Sequence, residues 1–116
     1  MRVFIIEQKY DDGHYLNAVQ YLVRAFAPLG CEIVVAVPNS APESAPFKMH
    51  LSAHQSRFRL EFIPARDYGI SIWRMIKTDA RVFRELIDRV KSDAVYFPTA
   101  DREAKSLALE RPDRND

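Results

Sequence analysis

The stretch RVFIIEQKYDDGHYLNAVQYLVRAFAPLGCEIVVAV, residues 2–37, holds the pattern on which the fold reading turns. Its opening VFII, set between Arg2 and Glu7, is a continuous apolar run of strand formers, and such runs mark strands covered on both faces. From His14 to Leu29 the apolar residues Leu16, Val19, Leu22, Val23, Phe26 and Leu29 return at spacings of three and four, which is one face of an amphipathic helix. Asp11 and Asp12 precede that helix, where its positive end favours carboxylates, and Gly30 follows it, where a left-handed cap residue is wanted. IVVAV at 33–37 is a second run of the same kind, stopped by Pro38.

The same alternation continues outward. NSAPESAP after Pro38 is rich in Pro, Ser and Ala and reads as a loop, with a short helix after it. Phe58, Leu60 and Phe62 alternate with Arg57, Arg59 and Glu61, so 57–63 predicts a strand with one wet face near the sheet edge, closed by Pro64. After Gly69, the residues Ile72, Ile76, Phe83, Leu86, Ile87 and Val90 form one apolar stripe with Trp73 and Met75 beside it. Glu85 with Arg89, and Arg84 with Asp88, are charge pairs four residues apart on its outer face. A fourth strand is predicted at 94–97, ended by Pro98, and a helix at 101–110, so that 102–116 is helix and polar tail. Strands alternating with helices imply right-handed crossovers and a parallel sheet. The predicted fold is α/β, a Rossmann-like three-layer αβα arrangement with a four-stranded parallel sheet in order 3-2-1-4; a flavodoxin-like sheet is the alternative. Val3, Ile5, Leu22, Phe26, Val35, Phe83 and Val95 are the expected core.

Composition fits one domain over 1–116. The chain has 116 residues, 17 Lys+Arg against 16 Asp+Glu and 47% hydrophobic residues. A formal net charge of +1 supplies no basic field for the whole chain, so no dedicated nucleic-acid partner is expected. The single cysteine, Cys31, closes no intramolecular disulfide and suits a reducing compartment, with the cytoplasm as default. It reads as a small buried hydrophobe at the turn between helix and strand. The apolar runs fall short of the roughly 20 residues of a transmembrane segment, and Glu7 and Lys9 interrupt the start too early for a signal peptide.

In an open parallel sheet ligands go to the carboxyl ends of the strands at the switch point, here between the first and fourth strands. That directs attention to residues 7–14 and 98–101. A dinucleotide site needs G-x-G-x-x-G after the first strand, whereas the loop EQKYDDGH carries one glycine. No Gly-Lys-Ser/Thr occurs for a P-loop, and Pro64 and Ala65 stand where a phosphoacceptor domain wants an aspartate. No cofactor is expected. His50 and His54 have the i, i+4 spacing of zinc sites, but position 51 is leucine and no third ligand is near in sequence, so no metal is assigned. Trp73 reads as a core or interface residue. Gly13 lets a ligand approach the backbone at the opening of a helix, and the neighbouring aspartates suit hydroxyls better than phosphate. Asp12, Gly13 and His14 on one side of the crevice, with Thr99 and Asp101 on the other, are the candidate substrate-binding residues. His14 is the candidate base, since imidazole titrates near neutrality. The same loop also reads as a plain βα turn with helix-capping aspartates.

The run DDGHYLNAVQYLVRAFAPLGCEIVVAV at 11–37 resembles the start of the N-terminal domain of GT-B glycosyltransferases of the group-1/group-4 type. That family carries a glycine-bearing loop after its first strand and a G-H-E-V turn into its second. Gly13 and Gly30-Cys31-Glu32-Ile33 match these features, with Cys31 in place of the usual histidine, and DAVYFPTAD at 93–101 resembles the later strand-to-loop passage. The resemblance implies a cleft enzyme whose first domain holds a sugar, lipid or glycan acceptor. A second domain, the expected partner, binds the nucleotide sugar. It implies that this chain ends within the first domain, transfers no sugar alone, and covers its apolar surface by self-association. The other reading is a non-catalytic binding or interaction module.

Overall fold

The computed structural model describes residues 1–11, 13–64 and 71–98. Strand β1 is Arg2–Ile6, followed by helix α1, Gly13–Phe26, and strand β2, Glu32–Pro38. Helix α2, Ala45–His50, leads through the 3-10 segment Ser52–Arg57 to strand β3, Arg59–Ile63. Helix α3, Ile72–Val90, then returns the chain to strand β4, Ala94–Tyr96. The four strands form one parallel sheet in the order β3-β2-β1-β4, which is the expected Rossmann-like order rather than the flavodoxin one. In the register, Ile5 lies beside Val35 and Tyr96, and Val35 lies beside Leu60.

Why the central strands are apolar throughout follows from what covers them. Val3, Ile5, Ile33, Val35 and Val37 pack with Leu16, Val19 and Val23 of α1 and with Phe47 of α2. Phe4, Ile6, Val34 and Ala36 point the other way, into Phe83, Leu86 and Val90 of α3. Alternate residues of each strand thus enter separate cores on opposite faces, and each buried Val or Ile contributes about 1.5–3 kcal/mol. Of the expected core, Val3, Ile5, Val35 and Phe83 are fully buried, while Leu22, Phe26 and Val95 pack against it partly exposed. Cys31 is likewise half-buried.

Several local readings are corrected. The α-helix stops at Phe26 because Pro28 lacks the N–H that another turn requires, and Ala27–Leu29 tightens into a 3-10 turn. Gly30 then takes the left-handed cap at φ 78°, as expected, and its N–H donates to the Ala27 carbonyl. The stretch after Pro38 is not plain loop: Ala41–Glu43 is a 3-10 turn and α2 begins at Ala45, each with its proline at the opening. Proline is tolerated there because those first N–H groups have no intrahelical partner. Ser44 caps α2 by accepting from the Phe47 N–H at 3.3 Å. The wet and dry faces of β3 are less distinct than the alternation predicts: Phe62 is exposed while Glu61 is half-buried. Arg89 bonds Glu61 Oε1 of β3 at 2.7 Å, a partner far from it in sequence. The helix predicted at 101–110 lies outside the described residues.

The amino edge of the sheet is tied by polar contacts. The Arg2 N–H donates to Asp93 Oδ2 at 2.7 Å, the Asp93 N–H donates to the Arg2 carbonyl at 2.8 Å, and Arg2 Nε lies 3.2 Å from Glu32 Oε1. Because α3 ends against this edge, through Arg2 Nη1 on the Val90 carbonyl, its first turns lie toward the opposite, carboxyl edge.

Candidate functional site

At the carboxyl edge β1 delivers a charged residue straight out of an apolar run. The Glu7 N–H donates to the Ala36 carbonyl at 3.0 Å, so the strand ladder carries Glu7 one step past Ile6. Its side chain is 1% exposed. Glutamate is almost never buried to this degree without polar contacts, and Glu7 Oε2 accepts the Lys9 N–H at 3.1 Å, curling the loop around the carboxylate. Tyr10 lays its ring against the α1-side core and places its hydroxyl 2.6 Å from Ser40 Oγ, joining the β1 loop to the β2 loop. The β1 loop on one side of the crevice is therefore braced against the β2 loop, which narrows the positions open to whatever it holds.

Helix α1 begins at Gly13, so His14 lies in its first turn. His14 is exposed, its ring centroid 4.3 Å from that of Tyr15 at an angle of 42°. Lys9 Nζ stands 5.4 Å from the Tyr15 centroid on the same small aromatic surface. Across the crevice, β4 ends at Tyr96 and the chain passes through Phe97, whose ring meets Phe83 edge-on at 5.8 Å, to Pro98.

Of the sequence-derived site residues, Gly13 and His14 stand at the carboxyl edge beside β1. Asp12, Thr99 and Asp101 lie outside the described residues. Glu7 and Tyr10 were not singled out as site residues. For Glu7 the signal was present, since a carboxylate directly ending an apolar strand has no packing reason to be there. For Tyr10 there was none, because its partner Ser40 is thirty positions away.

His50 and His54 do not share one α-helical face. His50 closes α2, and His54 falls in the 3-10 segment beyond Leu51. Arg57 Nη1 is 3.2 Å from His54 Nδ1, and the Gln20 amide is 3.1 Å from His54 Nε2. A guanidinium only donates, so Nδ1 accepts from Arg57. The Gln20 contact fastens the 3-10 segment to α1, while the Arg57 contact lies within that segment. Among the described residues no three His, Cys, Asp or Glu side chains gather as a metal site. Trp73, read as core or interface, is 66% exposed on the first turn of α3 and is not a core residue. Among the described residues no helix is long and apolar enough to cross a membrane.

As chemistry, the edge offers a buried carboxylate, an imidazole, an ammonium and a hydroxyl pair around a short backbone opening. The carboxyl oxygens accept hydrogen bonds, as Oε2 does from the Lys9 N–H, so hydroxyl and amine donors are the groups such a place suits. No protein-family model and no curated protein matches this chain.

Proposed function

We propose that this chain is the acceptor-side domain of a glycosyltransferase that uses a nucleotide-sugar donor, with the acceptor's hydroxyls held at the carboxyl edge between β1 and β4. The observation that carries this reading is the buried Glu7 carboxylate at the end of β1, beside the Gly13–His14 opening of α1. A carboxylate in that place favours a polyhydroxylated ligand over a nucleotide phosphate, and the resemblance at 11–37 points to the same chemistry. In this scheme Glu7 holds the β1 loop in place through the Lys9 N–H, Gly13 keeps the backbone accessible and His14 is the candidate base. Asp12, Thr99 and Asp101, outside the described residues, stay ligand candidates from the sequence. In this reading the domain holds the acceptor, and a second domain facing it holds the nucleotide-sugar donor.

The test is an amide-resolved NMR titration with a panel of mono- and oligosaccharides and, separately, with nucleotide sugars. Saccharide should shift the amides of residues 7–14, and Gly13→Val and His14→Ala should each weaken that response with the fold retained. Nucleotide sugars binding at this edge in preference to saccharides, or no saccharide response at 7–14, overturns the reading. The second reading, a non-catalytic module that meets a partner, draws on the exposure of Trp73.

A further inference from the structure

Helix α3 carries a charge pattern that its own stability disfavours. Trp73, Arg74, Lys77 and Arg81 are exposed and Arg84 is half-buried. At about 100° per residue they fall within a single arc of about 100°, along about 16 Å of helix. The first turn holds no acidic residue, and the one acid between 72 and 84, Asp79, is buried. Exposed carboxylates return only at Glu85 and Asp88, toward the other end. Cations in the first turns of a helix oppose the macrodipole, so Arg74 and Lys77 stand where local electrostatics argue against them. Breaches of local preference of this kind collect where a surface has work to do. With a net charge of only +1 over the whole chain, this cationic stripe is a local concentration and not a general excess.

We infer that this face of α3 docks the protein on an anionic lipid surface. Three observations favour that occupant. Among the described residues the face is one side of a single helix, with no second element beside it to form a groove that could follow a nucleic-acid strand. The exposed indole of Trp73 sits among the basic groups, the pairing that suits the headgroup layer of a bilayer. The apolar side of α3 is already committed to the core through Phe83, Leu86 and Val90, so the helix rests on the surface by its charges and its indole and does not sink into it. Docking through the first turns of α3 also brings the carboxyl edge of the sheet toward the lipid. The inference stands apart from glycosyl transfer and is tested without any activity.

Trp73 is the single tryptophan, so its fluorescence reports the contact directly. With vesicles of phosphatidylcholine containing one part in three of phosphatidylglycerol, the protein should co-sediment and its emission should shift to the blue. Phosphatidylcholine alone should do neither, and raising the salt should release the protein. Each basic side chain contributes about fivefold to partitioning, so Lys77→Ala with Arg81→Ala should lower it about 25-fold. The matched pair Arg24→Ala with Lys48→Ala, exposed on α1 and α2 across the sheet, should leave binding and emission shift unchanged. Equal loss in both pairs, no binding to anionic vesicles, or binding without a Trp73 shift overturns the inference. So does a single-stranded RNA oligomer that binds this face when vesicles do not.

Discussion

Phe83→Ala separates what α3 contributes to the core from what it presents to solvent. Phe83 is 0% exposed, lies among Phe4, Ile6 and Val34 of the sheet, and meets the Phe97 ring at 5.8 Å. Truncating a fully buried phenylalanine costs about 3–5 kcal/mol in transfer and cavity terms, and an edge-on aromatic pair is worth about 0.5–1.5 kcal/mol beyond buried area. About 4 kcal/mol is the expected loss, against a total stability of about 5–15 kcal/mol for a domain of this kind. At an m-value of about 1.5 kcal/mol/M, the urea midpoint should fall by about 2.5–3 M. Trp73→Ala removes a larger side chain from the same helix, yet Trp73 is 66% exposed, and its loss should move stability by no more than about 0.5 kcal/mol. Far-UV circular dichroism is the proper signal, since Trp73→Ala removes the only tryptophan. Phe83→Leu, at about 1–1.5 kcal/mol, keeps the comparison measurable if the alanine variant is too unstable to handle. Equal shifts for Phe83→Ala and Trp73→Ala, or a loss below about 1 kcal/mol for Phe83→Ala, would refute the assignment of these two faces.

Two left-handed caps should respond with opposite signs. Gly30 at φ 78° has nothing within 4 Å of a Cβ, so Gly30→Ala should lose about 0.5–1 kcal/mol from backbone strain alone. Lys91 adopts φ 54° at the end of α3 without being glycine, so Lys91→Gly should gain about 0.5 kcal/mol; thermal melts of both variants check the pair. Ser44→Ala removes the α2 cap from the Phe47 N–H and should cost about 1 kcal/mol in urea unfolding. Asp93→Ala cuts the carboxylate that accepts the Arg2 N–H and should cost about 1 kcal/mol while leaving saccharide responses at residues 7–14 as they were, because it acts at the other edge of the sheet. A changed saccharide response in Asp93→Ala would mean that the two edges are coupled.

The order of the sheet is legible because each central strand must be apolar on both faces, a demand that only strands covered by helices on both sides make. VFII and IVVAV meet it over their whole length, and the alternating run at 57–63 does not, which is why β3 falls at an edge. The errors came where one residue type serves two physical roles. Proline at 42 and 46 breaks an extended chain and also opens a helix, and the choice depends on Ser44 finding the Phe47 N–H, a contact that composition does not encode. Trp73 stands beside an apolar stripe and reads as a core or interface residue, and its exposure excludes the core alone. Its angular position puts it about 80° from Phe83 at 100° per residue, on the side where Lys77 and Arg84 project, so arithmetic on the helix separates it from the core where hydrophobicity does not. The candidate site is less legible for a related reason. Its candidate residues are few and polar, so periodicity does not mark them, and Tyr10 is fastened to Ser40 only because parallel pairing of β1 with β2 sets their following loops side by side. Glu7 is the exception, for a carboxylate that ends a double-sided apolar strand contradicts the pattern of its own segment. Such a contradiction is a site signal that a single sequence carries without help from the fold.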